Sequence, residues 1–431
     1  MKKCLCLTLA LMLILSTFGL TAFAQEEKIK LQFMGWEASV YETEANVAAI
    51  ARFEEAYPDY EVEFITGKFE DHHTRLMTMM AGNAAPDVFY MEPQYSRAFI
   101  DLGLLLDIGD IFETEFEGVD LIDWSYQKMT SPEGVFYGID SCIVGNVLFI
   151  NPALFEAAGI EVPSTSEAMT WDEMVELADK LTVRDENGIV SQYGLYGFES
   201  ENVWESYCYF NDVSLFNDAG EFEISDREKC IEILEKLKGL RTVQGVAPEA
   251  AFIENSGMSA NQLLKTGKVA MVFEGSYSLQ ELSKMGFEFI AVKPPVMDKD
   301  HPVGILNSSY NCAIWAGTKY PEAAKALAAY MTSEEAQLVF VRDGLWMSNR
   351  KYLYEPENYD IWLSHDVYPE GWEDLVPLFK DGVFRTTGNI PAANEVIDML
   401  TEEIENYFYN DQDVETTLDN MTRRANSIMS R

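Results

Sequence analysis

Two short stretches, Trp36-Glu37 and Glu92-Pro93-Gln94-Tyr95, each place an aromatic ring beside groups that exchange hydrogen bonds. Trp204 and Tyr207, Tyr277, Tyr310 and Trp346 stand in similarly polar, loop-like surroundings. A flat ring bordered by carboxylates and amides suits a sugar, whose C–H face stacks on the ring while its hydroxyls take directional hydrogen bonds. The same combination would also hold an organic cation. Aromatic residues make up 13% of the chain, so any one ring is more readily core than platform. It is their joint position after strand-like segments that points to a ligand.

Other chemistry is sparsely signalled. The chain has no H-E-x-x-H, no G-x-S-x-G, no Walker A loop and no G-x-G-x-x-G after a strand. With 72 acidic residues, a glycosidase-type carboxylate pair stays open as an alternative. His72-His73 would suggest a metal, but neighbours on a helix point about 100° apart, so they read as two partly solvated helix residues. No metal or cofactor is expected.

The elements that position these residues follow from periodicity. Lys28 to Met34 (KIKLQFM) alternates as a strand, and Val47, Ile50, Ala51, Phe53 and Tyr57 form the apolar stripe of the following helix. Pro58-Asp59 stop it before a strand at Tyr60 to Ile65. A helix over Asp71 to Ala81 leads into the strand Val88 to Met91, with Met77, Met79 and Met80 at helical spacing against the sheet. Strands alternating with helices imply right-handed βαβ units and a largely parallel sheet, whose ligands bind beyond the carboxyl ends of the strands. Trp36-Glu37 and Glu92 to Tyr95 occupy such ends. Farther on, Thr170 and Glu173 fit a capping box for the helix Trp171 to Leu181, and strands are expected at Val269 to Phe273 and Phe287 to Ala291. Gly138 to Asn151 and Val303 to Ala316 are long β-rich runs, each placed to cross between two lobes.

Bulk properties agree with two lobes, since 431 residues exceed one hydrophobic core. Lys2-Lys3, an apolar run to about Leu20 and Ala22-Phe23-Ala24 form a cleavable secretory leader, residues 1–24. No other run reaches the roughly 18 to 20 apolar residues of a membrane helix. Cys4 and Cys6 precede the apolar segment rather than the cleavage point, so no lipid-anchor cysteine is evident. The formal charge of −41 repels phosphate backbones and excludes nucleic acid as partner. Cys142, Cys208, Cys230 and Cys312 are too few for a disulfide-dense scaffold; one bridge or buried thiols both fit.

Five blocks then carry a resemblance: FEEAYPDYEVEF (Phe53 to Phe64), MMAGNAAPDVFYM (Met79 to Met91), FINPALFEAAGIEVPST (Phe149 to Thr165) with TWDEMVELADKLT (Thr170 to Thr182), LLKTGKVAMVFEGSY (Leu263 to Tyr277) and KYPEAAKALAAYMTSEEAQ (Lys319 to Gln337). In this order they are similar to the blocks of family 1 extracellular solute-binding proteins, the substrate-capturing subunits of carbohydrate ABC importers, of maltodextrin-binding plan. The resemblance implies an α/β two-lobe fold of mixed, mostly parallel sheets, with a ligand cleft between lobes and crossing hinge strands. It places residues 25–140 and 304–345 in a discontinuous N-terminal lobe, and 141–303 with 346–431 in the C-terminal lobe. It also implies a third connection after about Tyr320.

By the same resemblance, sugar contacts fall on Trp36, Glu37, Glu92, Gln94, Asp140, Trp204, Tyr207, Glu274, Tyr277, Asn307, Tyr310 and Trp346. Stacking is assigned to Trp36, Trp204, Tyr277 and Trp346, and hydroxyl recognition to Glu37, Glu92, Gln94, Asp140, Glu274 and Asn307. Cys142 and Cys312, one on each implied hinge, are candidates for a bridge. The implied partners are a carbohydrate and a membrane-spanning ABC permease, for a non-enzymatic monomer that is periplasmic or secreted. After Gly344 the resemblance thins, which leaves Trp346, Trp362, Trp372 and Arg385 with less support.

Overall fold

The computed structural model describes residues 28–37, 39–122, 129–131, 133–217, 219–297, 306–308, 310–384, 390 and 392–430. The leader and Arg385 lie outside them. Among the described residues twelve strands fall into two sheets: β1 (Ile29–Met34), β2 (Tyr60–Ile65), β3 (Val88–Met91), β4 (Gly138–Asp140), β5 (Val144–Ile150), β6 (Val183–Arg184), β7 (Val190–Tyr196), β8 (Val269–Gly275), β9 (Ile290–Val292), β10 (Leu306–Ser308), β11 (Asn311–Ile314) and β12 (Val383–Phe384). The first sheet runs β2-β1-β3-β11-β4, and the second β12-β10-β5-β8-β7-β6 with β9 also on β5.

The two long β runs are each split between sheets. β4 pairs with β11 in the first sheet while β5 pairs with β8 in the second, so the chain crosses at Ser141 to Ile143. The later run does the reverse, since β10 pairs with β5 and β11 with β3. Residues 306–308, expected in the first lobe, therefore belong to the second sheet. A third crossing follows the helix Glu334–Arg342: Trp346 packs in the first lobe's core, Met347 in the second's, and Met347 exchanges backbone hydrogen bonds with Ile143 at 2.8 and 3.0 Å.

The sheets are mixed rather than mostly parallel. β1 pairs parallel with β2 and β3, as βαβ connections require, but β11 enters antiparallel to β3 and β4. Around β5 every pair is antiparallel. Strands that arrive from the other lobe have no crossover helix to turn them round, so they run against their neighbours. The strand expected at Phe287 to Ala291 forms as β9, shifted toward the carboxyl end.

Local signals hold the helices in register. Ser39 caps Val40–Ala56 by accepting from the Glu42 N–H, and Thr170 and Glu173 make the reciprocal capping box of Trp171–Leu181. The latter helix approaches β7 so closely that a Cβ on Gly194 would meet the Ala178 carbonyl oxygen at 2.0 Å. Because that obstacle is backbone, no rotamer change relieves it. Gly194→Ala is expected to destabilise the second lobe by about 3 kcal/mol, read as a lower denaturation midpoint at unchanged m-value.

Buried polar groups knit the crossings together. The Ser141 N–H and hydroxyl both donate to the Tyr310 carbonyl, at 2.8 and 2.6 Å. Asn349 Nδ2 donates to the Asp140 carbonyl at 3.0 Å, and Gln337 Nε2 to Asn349 Oδ1 at 2.9 Å. Arg350, buried with its Nη2 donating to the Thr332 carbonyl at 2.8 Å, has its pKa lowered to about 10 chiefly by desolvation. Linked in this way, the three crossings act as one hinge block rather than three loose linkers.

Candidate functional site: an aromatic, acidic cavity between the lobes

Beside the hinge block lies a cavity of about 710 Å³, within the ~300 to 1,000 Å³ usual for small-ligand sites. The first lobe contributes Trp36, Glu37, Ser39, Glu42, Lys68, Phe69, Asp71 and Tyr310; the second contributes Asn261, Tyr277, Ser278 and Glu281. Leu345 and Trp346 come from the third crossing.

The aromatic wall is built edge to face. Trp36, at the carboxyl end of β1, meets Tyr310 at 4.5 Å between ring centroids, Phe69 at 5.3 Å and His72 at 4.9 Å. Trp346 continues it, 5.9 Å from Tyr310 and 4.8 Å from Phe340. Both tryptophans are only 3% exposed, so they serve the first lobe's core and the cavity wall at once. Tyr277 faces them from the second lobe and is 36% exposed. Its hydroxyl donates to Glu274 Oε1 at 2.7 Å.

The polar groups are mostly acceptors. Glu37 Oε2 takes hydroxyl protons from Thr43 at 2.9 Å and Thr66 at 3.2 Å, which fixes its carboxylate at the rim. Across the cleft, Asn261 Nδ2 donates to Glu281 Oε2 at 2.6 Å. Burial, with Glu274 and Glu42 nearby, pushes the Tyr277 phenol well above its ordinary pKa; burial, with Glu92 among its neighbours, does the same for Tyr310. Both phenols therefore remain protonated donors at neutral pH. Burial also raises the Glu274 carboxyl, although the Gly275 N–H and Tyr277 hydroxyl oppose this.

The structure thus brings Trp36, Glu37, Tyr277, Tyr310 and Trp346 to one cavity, and leaves other expected residues elsewhere. Trp204 and Tyr207, 1% and 3% exposed, lie inside the second lobe, and the Tyr207 hydroxyl donates to the Pro295 carbonyl at 3.1 Å. Their i, i+3 spacing on the helix Glu201–Phe210 marks an inward helical face, a core signal mistaken for a platform. Glu92 and Gln94 are half-buried and off the cavity wall, because the chain turns at once into the helix Pro93–Asp101. Asp140 is fully buried inside β4. Glu274 lines a separate cavity of about 270 Å³ behind Tyr277. Asn307 belongs to β10, but its side chain lies outside the described residues.

His72 and His73 are buried rather than partly solvated, at 2% and 8% exposure. His72 Nε2 lies 2.7 Å from the Tyr90 carbonyl, His73 Nε2 accepts from the Glu92 N–H at 3.2 Å, and His73 stacks on Tyr95 at 3.8 Å. Among the described residues no group of His, Cys, Asp and Glu is placed to hold a metal ion. All four described cysteines are buried thiols. No described helix is long and apolar enough to cross a membrane.

Several wall residues went unread in the sequence. Lys68, Phe69 and Asp71 follow β2, so the strand-end rule that selected Trp36 would have found them. Asn261, Ser278 and Glu281 carry no such mark, because the second lobe brings them in from the early turns of two short helices.

The family described as bacterial extracellular solute-binding proteins matches residues 39–338. Among solved structures, an ABC substrate-binding protein of Listeria monocytogenes in complex with cycloalternan superimposes with a TM-score of 0.80 at 22% identity, covering 94% of this chain and 99% of that one. An arabinooligosaccharide-binding protein of Halalkalibacterium halodurans is 23% identical over 367 residues, 83% of this chain and 77% of that protein. The sn-glycerol-3-phosphate-binding periplasmic protein of Rhizobium meliloti is 22% identical over 317 residues, 70% of each chain. An uncharacterized lipoprotein of Streptomyces antibioticus is 25% identical over 154 residues, so this chain covers only 33% of its length.

Proposed function

Since the chain belongs to the bacterial extracellular solute-binding protein family, we propose that it captures a sugar or oligosaccharide between its lobes and presents it to the permease of an ABC importer. The observation that carries this reading is the cavity wall itself, where Trp36, Tyr277, Tyr310 and Trp346 converge with the carboxylates of Glu37, Glu42, Asp71 and Glu281. Rings take the apolar faces of a pyranose, and carboxylates accept from its hydroxyls. The protein acts after export as a monomer, and binding rather than turnover is its task. Capture closes the lobes because the ligand touches both at once, a population shift driven by contacts available only in the closed form.

The glycerol-phosphate-binding relatives favour a second solute class, yet four carboxylates against the single lysine Lys68 make the wall unfavourable for a phosphate. A thermal-shift screen over neutral sugars, oligosaccharides, glycerol phosphate and polyamines tests the assignment. A true ligand at 100 times its Kd adds about 2.7 kcal/mol of stability. A shift with glycerol phosphate or polyamines but with no sugar would overturn the reading, and release of reducing ends from a glycan would replace it with hydrolysis. Tyr277→Ala is expected to weaken sugar binding about tenfold in calorimetry while costing only about 1 kcal/mol of stability, since the side chain is partly exposed.

A further inference from the structure

The helix Ser278–Lys284, which follows Tyr277, presents two different faces. Ser278 and Glu281, three residues apart, line the cavity. Gln280 and Lys284, four residues apart, point instead to the first lobe and to the end of the helix Glu334–Arg342. Gln280 is only 1% exposed, and its Nε2 donates to the Tyr41 carbonyl at 3.1 Å and to Asp343 Oδ2. Lys284 Nζ lies 2.7 Å from the same Asp343 oxygen and 4.7 Å from the centre of the Tyr41 ring. Tyr41 sits in the first turn of Val40–Ala56, between the wall residues Ser39 and Glu42. Thus one amide and one ammonium of the second lobe grip a backbone carbonyl and a ring of the first, and share a carboxylate at the start of the third crossing.

We propose that Gln280, Lys284, Tyr41 and Asp343 form an interlobe clasp beside the cavity, and that Gln280 and Lys284 set ligand affinity as positioning residues without touching the ligand. The contacts to Tyr41 need the lobes together, because the helix Val40–Ala56 packs in the first lobe's core while Leu279 and Leu282 anchor the Gln280 helix in the second's. Each of these contacts therefore favours the binding-competent form before ligand arrives. Apparent affinity rises with the fraction of molecules already in that form. Its affinity consequence rests on the reading of the cavity as the ligand site; its effect on lobe closure does not.

Interlobe distances measured without ligand test the clasp directly. Spin labels at Val47→Cys and Val243→Cys, exposed positions on opposite lobes, report closure while the native thiols stay buried. The Gln280→Leu/Lys284→Met double variant is expected to move population to longer distances in the absence of ligand. Lys284→Met alone, whose parent side chain is 30% exposed, should show part of the shift with circular dichroism unchanged. With sugar present, the double variant should bind about tenfold more weakly, mainly through faster release. Superimposable distance distributions in the wild type and both variants would overturn the clasp. A shift in distance with no binding to any sugar would retain the clasp and reject the carbohydrate reading.

Discussion

Trp36→Ala is expected to reduce sugar affinity at least about 30-fold, the effect of removing a buried tryptophan anchor worth about 2 kcal/mol or more. It should also cost about 3 to 5 kcal/mol of folding stability, because truncating a large buried ring leaves a cavity behind. The two effects share one cause: the indole is 3% exposed, locked edge-on against Tyr310, Phe69 and His72, and still forms the cavity wall. Trp36→Phe separates them, since a smaller ring recovers much of the packing but less of the stacking surface. Calorimetry on samples verified as folded by circular dichroism decides the matter. Wild-type affinity in a folded Trp36→Ala protein would remove this cavity as the ligand site.

Stability should also fall sharply in mild acid, by about 3 kcal/mol from His72 alone between pH 6.5 and pH 4. Burial is the main cause, lowering the His72 pKa from 6.5 to about 4 against the opposing hydrogen bond to the Tyr90 carbonyl. His73 is pushed down by burial and by the His72 charge. The sign follows from proton counting. Below about pH 6.5 the unfolded chain binds a proton that the folded His72 imidazole refuses until about pH 4, so its contribution is full above that window and is lost as pH falls through it. Urea denaturation at pH 7, 5.5 and 4.5 gives the profile, and His72→Gln, which keeps a donor for the Tyr90 carbonyl, should flatten it. Parallel profiles for the two proteins would refute the assignment. Because His72 packs against Trp36, acid loosening should reach the cavity wall early.

Much of the architecture was legible because it is written in local patterns. The strand β1, the helix after it and the capping box at Thr170 each follow from local spacing, although Val47, Ala51 and Tyr57 of that helix's expected stripe are exposed and Ala45 and Ala49 join Ile50 and Phe53 in the core. The two crossing runs were also legible, as unbroken β-rich segments with no helix beside them. Their internal division was not: nothing local shows that Ser141 to Ile143 and the residues after Ser308 must pass from one sheet to the other. Strand direction failed for the same reason, since a βαβ pattern predicts parallel neighbours only where a strand and its neighbour are joined through one helix.

The site divides along the same line. The sequence by itself determined an acidic, exported-looking chain of two α/β lobes, and it singled out Trp36 and Glu37 as a strand-end pair, because alternation, composition and strand ends are local properties. Only the tertiary structure decided which rings share a wall. It buried Trp204 and Tyr207 as core and withdrew Asp140 into β4, while it brought Asn261 and Glu281 across from the second lobe. It also turned His72 and His73 from surface residues into buried supports of that wall. Convergence of side chains from two sheets and three crossings depends on how the lobes pack against one another, and no spacing within a single segment encodes that.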